Sequence, residues 1–294
     1  MNINLIQCRL CPHNCAANRF SRNGFCKAGD KVKINIAQLH FGEEPIISGT
    51  NGSGTIFFSH CNLKCVFCQN HLISHRGEGV DVSNAKLADI MLDLQRKGAH
   101  NINLVSPTHF SLQLADVIKI AKKEGLSIPV VWNSNAYENV ETLKMFDGLV
   151  DIYLPDFKYW DNQNSEKYSG IDNYREHVCA ALREMFWQVG NIKVGEGLAK
   201  RGMMVRMLNL PGNINNIEHS LKWIKENFGT EIWISLMFQY YPAYKASNYL
   251  ELNRGVTKEE YDFAVSIFQE LGFYNGFIQE ISCSDEYTPD FIKY

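Results

Sequence analysis

The placement of its cysteines constrains this chain more than any other feature. Of nine in 294 residues, seven fall in the first 68: Cys8, Cys11, Cys15, Cys26, Cys61, Cys65 and Cys68. A disulfide framework would be odd-numbered here and crowded into one end of a long chain. The opening MNINLIQCRLCPHNC has no apolar signal core, so a cytoplasmic location is expected rather than export. Tight cysteine spacing in such a protein reads as metal or cluster ligation.

The seven separate into two sets. Cys8 to Cys26 follow C-x2-C-x3-C-x10-C, and Cys61 to Cys68 follow C-x3-C-x2-C. Four thiolates saturate a tetrahedral zinc or iron centre, as a closed structural site requires. Three cannot saturate a [4Fe–4S] cube, which leaves one iron open to a small molecule. The first set is therefore expected to be structural and the second chemical. Zinc at the second set would need a fourth ligand, for which His60, His71 and His75 are candidates.

Charge limits the partners. The net charge of −3 gives no support to a global nucleic-acid binder, and no run of about 18 apolar residues marks a membrane helix. Around the first cysteine set stand Arg9, Arg19, Arg22, Lys27, Lys31 and Lys33, against Asp30. These cations would offset the charge of about −2 on four thiolates around a divalent ion. The rival, an RNA-binding patch, lacks aromatic interleaving, with Phe20 and Phe25 alone. Zinc and an auxiliary iron–sulfur cluster both fit the four-cysteine spacing.

Downstream, apolar runs alternate with amphipathic segments. Strands are expected at Thr55–Ser59, Asn101–Val105, Ile128–Trp132, Val150–Leu154, Met203–Leu208 and Glu231–Met237. Helices are expected at Asn84–Lys97, Gln113–Lys123, Glu138–Phe146, Asn173–Trp187, Asn216–Asn227 and Lys258–Leu271, with Ser83 and Thr257 as N-caps. Repeated βα units imply a parallel sheet clad in helices, and six are too few for an eight-stranded barrel. Ligands of such sheets sit at the carboxyl ends of the strands. The expected division is a cysteine-rich segment at 1–50, the α/β body at 51–275 and a tail at 276–294.

The cluster loop carries a resemblance. Cys61, Cys65 and Cys68, with Phe67 before the last and an apolar strand ahead, are similar to the cluster motif of radical S-adenosylmethionine (SAM) enzymes. The phrases CRLCPHNCAANR, FGEEPIISGTNGSGTIFFSHCNLKCVFCQNHLIS, NLVSPTH and EYTPDF resemble the pyruvate formate-lyase-activating-enzyme-like (PflX-type) branch over essentially the whole chain. The resemblance implies an α/β fold, a partial (β/α)6 barrel with a small N-terminal metal-binding segment. It also implies a [4Fe–4S] cluster on Cys61, Cys65 and Cys68, SAM as cofactor, and anaerobic oxidoreductase chemistry through a 5′-deoxyadenosyl radical. Implied partners are a reductant such as flavodoxin or ferredoxin and a glycyl radical enzyme; another protein, an RNA or a small molecule is the alternative substrate. A zinc-binding adaptor is the non-enzyme alternative.

The same resemblance directs attention to the strand ends. Where relatives carry Gly-Gly-Glu, this chain has Ser106, Pro107 and Thr108, so Ser106 and Thr108 are expected to contact SAM. Asn133 and Asn135, with Ser134, offer hydrogen bonds to a SAM carboxylate or ribose. Asp156 and Lys158 match an Asp-Leu-Lys phrase around SAM. Arg206, among apolar neighbours, should meet an anion, either a SAM or substrate carboxylate or an internal acid. Gln239 and Tyr240 line a substrate cavity or belong to the core. Cys179 is expected to be packing, and Cys283 an inert thiol or a hydrogen-atom donor.

Overall fold

The structure is a computed structural model that describes residues 4–281 and 289–292. Its strands are β1 (Val32–His40), β2 (Ser53–Phe58), β3 (Val80–Val82), β4 (Ile102–Val105), β5 (Val130–Ser134), β6 (Ile152–Pro155), β7 (Lys193–Gly195), β8 (Leu198–Leu208), β9 (Trp233–Met237) and β10 (Gly276–Ile278). Its helices are α1 (Pro45–Ser48), α2 (His71–Ser74), α3 (Asn84–Arg96), α4 (Ser111–Lys123), α5 (Val140–Leu143), α6 (Asn162–Ser169), α7 (Tyr174–Val189), α8 (Ile217–Phe228) and α9 (Lys258–Glu270).

All six expected strands are present, as β2, β4, β5, β6, β8 and β9. They form one sheet of order β10-β9-β8-β6-β5-β4-β2-β1-β3, parallel from β2 through β10. β1 and β3 add an antiparallel margin, and β7 pairs antiparallel with the start of β8. The expectation had placed no strand at β1, although Val32, Ile34 and Ile36 alternate along it. The third expected helix is shorter: α5 is one turn and continues as a 3-10 turn over Lys144–Phe146. The polar helix α6 was not expected at all, since its sequence NQNSEKYS shows no apolar stripe.

Side chains alternate across the sheet as the pleat demands. Trp132, Tyr153, Met203 and Val205 face outward into the helical layer, with Leu87, Met91, Leu114 and Ile118 from α3 and α4 in the same core. Val131, Ile152, Leu154 and Met204 face inward and close around Ile47 of α1. The segment FGEEPIIS thus plugs the amino-terminal end of the sheet's concave side. Asn101 fixes it by donating its side-chain amide to the Ile47 carbonyl at 2.7 Å. Both expected N-caps hold: Ser83 accepts from Lys86 N–H, and Thr257 and Glu260 form a reciprocal capping box. Among the described residues no helix is long and apolar enough to cross a membrane.

Candidate active site

Above the plug the concave side holds a cavity of about 200 Å³. Cys61, Cys65 and Cys68 line it from the loop after β2, with Phe67 beside them. Ser106 follows β4, Asn133 and Asn135 close β5, Asp156 follows β6, and Arg206 projects from β8; all line the same cavity, as does Lys158. The backbone turns sharply where these strands end. His60, Ser106 and Ala136 all adopt φ between 56° and 71°, a conformation costly for non-glycine residues and concentrated at functional sites. Gly77 serves the first of these turns, for a Cβ there would lie 2.3 Å from the His60 ring.

Each loop thiol has a neutral polar partner. Ser169 Oγ donates to Cys65 Sγ at 3.0 Å, and Ser74 Oγ lies 3.1 Å from Cys68 Sγ. Asn135 Nδ2 and Leu63 N–H both reach Cys61 Sγ at 3.4 Å. Burial pushes the Cys65 thiol up and the Cys68 thiol to about 12, against the lowering pull of Lys158 on Cys65 and of the Ser169 and Ser74 hydroxyls. Burial also opposes charge on Lys158, but the Asp156 carboxylate at 2.7 Å, joined by Cys65 and Cys68 whenever they are thiolates, holds its pKa above the usual lysine range.

Arg206 meets internal acids. Its Nη1 donates to Glu43 Oε2 at 2.9 Å, and its Nε lies 3.4 Å from Glu44 Oε1. Asn103 Nδ2 donates to Glu43 Oε1 at 2.8 Å, and Asn133 Nδ2 lies 3.4 Å from the same oxygen. Sequence reasoning missed Glu43 and Glu44 as its partners, although both stand in the quoted FGEEP phrase. Thr108 does not line the cavity; its Oγ1 donates to the buried Glu138 at 2.9 Å, as does Trp132 Nε1. Burial raises the Glu138 pKa. Gln239 lines the cavity, whereas Tyr240 is core and donates to the Leu252 carbonyl. Ser74 and Ser169 carried no sequence signal, since serine in a helix is ordinarily unremarkable.

The remaining candidates divide. His60 lines the cavity, but His71 and His75 pack against Tyr244, and His75 Nε2 contacts the Cys65 carbonyl at 3.1 Å. Cys179 is buried in α7, and Cys283 lies outside the described residues. Cys8, Cys11, Cys15 and Cys26 line a second, much smaller cavity. Among the described residues no three Cys, His, Asp or Glu side chains are already drawn to ligand spacing at either set.

The donor chemistry of the larger cavity fits an iron–sulfur cluster with a zwitterionic ligand beside it. Three thiols stand on one wall, while paired Asp156 and Lys158 and neutral amides stand on the others. A sequence model of the Radical SAM superfamily matches residues 55–224, and the chain belongs to that superfamily. It is 32% identical to the uncharacterized protein MJ0674 of Methanocaldococcus jannaschii over 278 residues, covering 90% of this chain and 74% of that one. Its fold is similar to HydG, a maturase of the [FeFe]-hydrogenase (TM-score 0.52, 15% identity, 74% of this chain and 49% of that one). It is also similar to Streptococcus suis SuiB bound to the precursor peptide SuiA (TM-score 0.53, 12% identity, 75% of this chain and 47% of that one). The chain thus spans about half the length of both structural neighbours.

Proposed function

We propose that the protein is a radical SAM enzyme that abstracts a hydrogen atom from a peptide or protein substrate. The observation carrying this is the single cavity shared by the three loop thiols and the polar strand ends. Cys61, Cys65 and Cys68 would hold a [4Fe–4S] cluster, and SAM bound beside it would, on receiving one external electron, supply methionine and a 5′-deoxyadenosyl radical able to take a hydrogen atom from substrate.

In this reading Cys61, Cys65 and Cys68 hold the cluster as thiolates, and Asn135, Ser169 and Ser74 support their charge through hydrogen bonds. Lys158, oriented by Asp156, attracts the SAM carboxylate. Ser106, Asn133 and Asn135 bind the polar parts of the cofactor, and Phe67 screens the cluster from water. Arg206 acts through the Glu43 pairing as part of the cavity floor rather than as a free anion receptor. Thr108 supports the β4 turn through Glu138. The electron comes from a small reductant such as flavodoxin or ferredoxin.

Activation of a glycyl radical enzyme is the form of this chemistry supported by the activating-enzyme-like phrases. The chain itself contains no Arg-Val-x-Gly-Tyr segment and is not such a partner. A zinc adaptor would need a fourth ligand beside the loop thiols, and two of its three candidate histidines are engaged with Tyr244. Anaerobic reconstitution with iron, sulfide, SAM and dithionite tests the proposal. The expected product is 5′-deoxyadenosine; its absence from fully loaded protein overturns the reading.

A further inference from the structure

The N-terminal segment has too little of its own to hold its shape. Between residues 4 and 31 there is no helix or strand beyond the isolated bridge of Cys8 with Ala17. Its buried apolar side chains other than cysteine are Leu10, Pro12, Ala17 and Ala28, two of them the smallest that can be buried. So small an apolar core offsets little of the entropy lost on ordering the chain. The backbone also adopts costly conformations around the cysteines: Asn14, Ala16 and Lys27 have φ of 43°, 49° and 65°. Such strain persists where something else over-determines the geometry.

The four thiols are free of disulfides, three of them buried and Cys15 exposed. Cys8, Cys11, Cys15 and Cys26 line one cavity of about 10 Å³. Space on that scale, roughly 10–15 Å³ by the same measure, admits a single water-sized occupant. It suits one ion held by the four thiols. Gly24 is adapted to this crowding, since a Cβ there would stand 2.6 Å from Cys15 Sγ. The buried Arg19 also lines the cavity and brings a permanent positive charge to the thiolates.

From the cavity, two connections reach the loop that carries Cys61. His13, stacked on Phe25 at 3.7 Å, contacts the Asn62 carbonyl through Nε2 at 2.8 Å. Arg19 donates to the carbonyls of Gly29 and His109, and His109 Nε2 lies 2.8 Å from the Ser59 carbonyl. The segment therefore grips the loop on both sides of Cys61.

We propose that Cys8, Cys11, Cys15 and Cys26 bind a single tetrahedral zinc ion, which braces the Ser59–Asn62 turn. Ligation draws the four thiols onto a common centre, forms four Zn–S bonds and releases four protons, with no electron transferred. The metal site stands independently of the proposed function; only the importance of bracing this turn rests on it.

The test uses the full-length chain with Cys61→Ala, Cys65→Ala and Cys68→Ala together, which removes the other thiol set. Purified from medium containing zinc and iron, it should hold about one zinc per chain, with neither iron nor sulfide. Adding Cys11→Ser should abolish the zinc. Titration of the metal-free triple variant with cobalt(II) needs no change in the N-terminal set and guards against misfolding of the Cys11 variant. It should give the intense thiolate charge-transfer and tetrahedral ligand-field bands of a four-sulfur site, saturating at one equivalent. Iron with sulfide in the triple variant, no bound metal, or a weak octahedral cobalt spectrum would each overturn the proposal. In the wild-type protein, chelation of zinc should accelerate amide exchange at residues 59–62 while iron content is unchanged. Unaltered exchange would refute the brace. Failure of SAM cleavage alone would count against the proposed function and leave the zinc site standing.

Discussion

The two cysteine sets share a ligand atom and differ in almost everything around it. Cys61, Cys65 and Cys68 face a cavity of about 200 Å³ walled by charged and amide side chains from successive strands. Cys8, Cys11, Cys15 and Cys26 face about 10 Å³ in a segment with almost no regular structure. Thiolate chemistry depends on what is left over after ligation. A saturated ion in a tight pocket can only brace, whereas an unsaturated cluster beside open polar space can bind and transform a ligand. The difference lies in the fold: strand ends make room, and a cross-linked loop segment does not.

The sharpest way to break this contrast is to remove one thiol from the open set. Cys65→Ala should reduce 5′-deoxyadenosine formation to the enzyme-free background and sharply lower bound iron, while zinc content stays unchanged. Substantial remaining turnover would dissolve the distinction. Next in size is the cavity floor. Glu43→Ala removes one of two acids from the largely enclosed Arg206; breaking a buried pair outright costs about 3–5 kcal/mol, and Glu44, still 3.4 Å away, keeps the loss at the low end of that range. Urea unfolding should register that loss; a change within about 0.5 kcal/mol, ordinary for exposed sites, would deny the floor its role.

Smaller effects refine the open site. Lys158→Met should weaken SAM binding by roughly ten- to a hundredfold, the worth of about 1.5–3 kcal/mol for a hydrogen bond to a charged group. Calorimetric titration of the reconstituted protein measures this, and an unaltered affinity removes Lys158 from the cofactor site. Ser169→Ala deletes the hydroxyl that donates to Cys65 Sγ. Cluster retention should drop about tenfold, at the low end for an outer-shell change, and the cluster's reduction potential should become more negative. Potentiometry showing no shift would make Ser169 a packing residue.

Much of the frame was legible because its signals are local. Short apolar runs located all six central strands, and Ser83 and Thr257 announced their helices. β10 is three residues long, and β7 forms a hairpin whose partner looked like the lead-in to β8, so neither stood out. The candidate site divides in the same way. The cysteine spacings and the strand-end rule pointed to residues that share one cavity. Arg206 was recognisable as an ion in need of a partner, but Glu43 is 163 positions away and only the plug brings them together. Thr108 illustrates the opposite limit. The left-handed turn at Ser106 precedes a Thr108 whose hydroxyl is bonded to Glu138, and no pattern in NLVSPTH foretells that.

Metal and sulfide analysis of the anaerobically purified wild-type chain tests the contrast most directly. The account predicts about four irons, about four sulfides and about one zinc per polypeptide. Two iron–sulfur clusters without zinc, or zinc at both sets without sulfide, would contradict it.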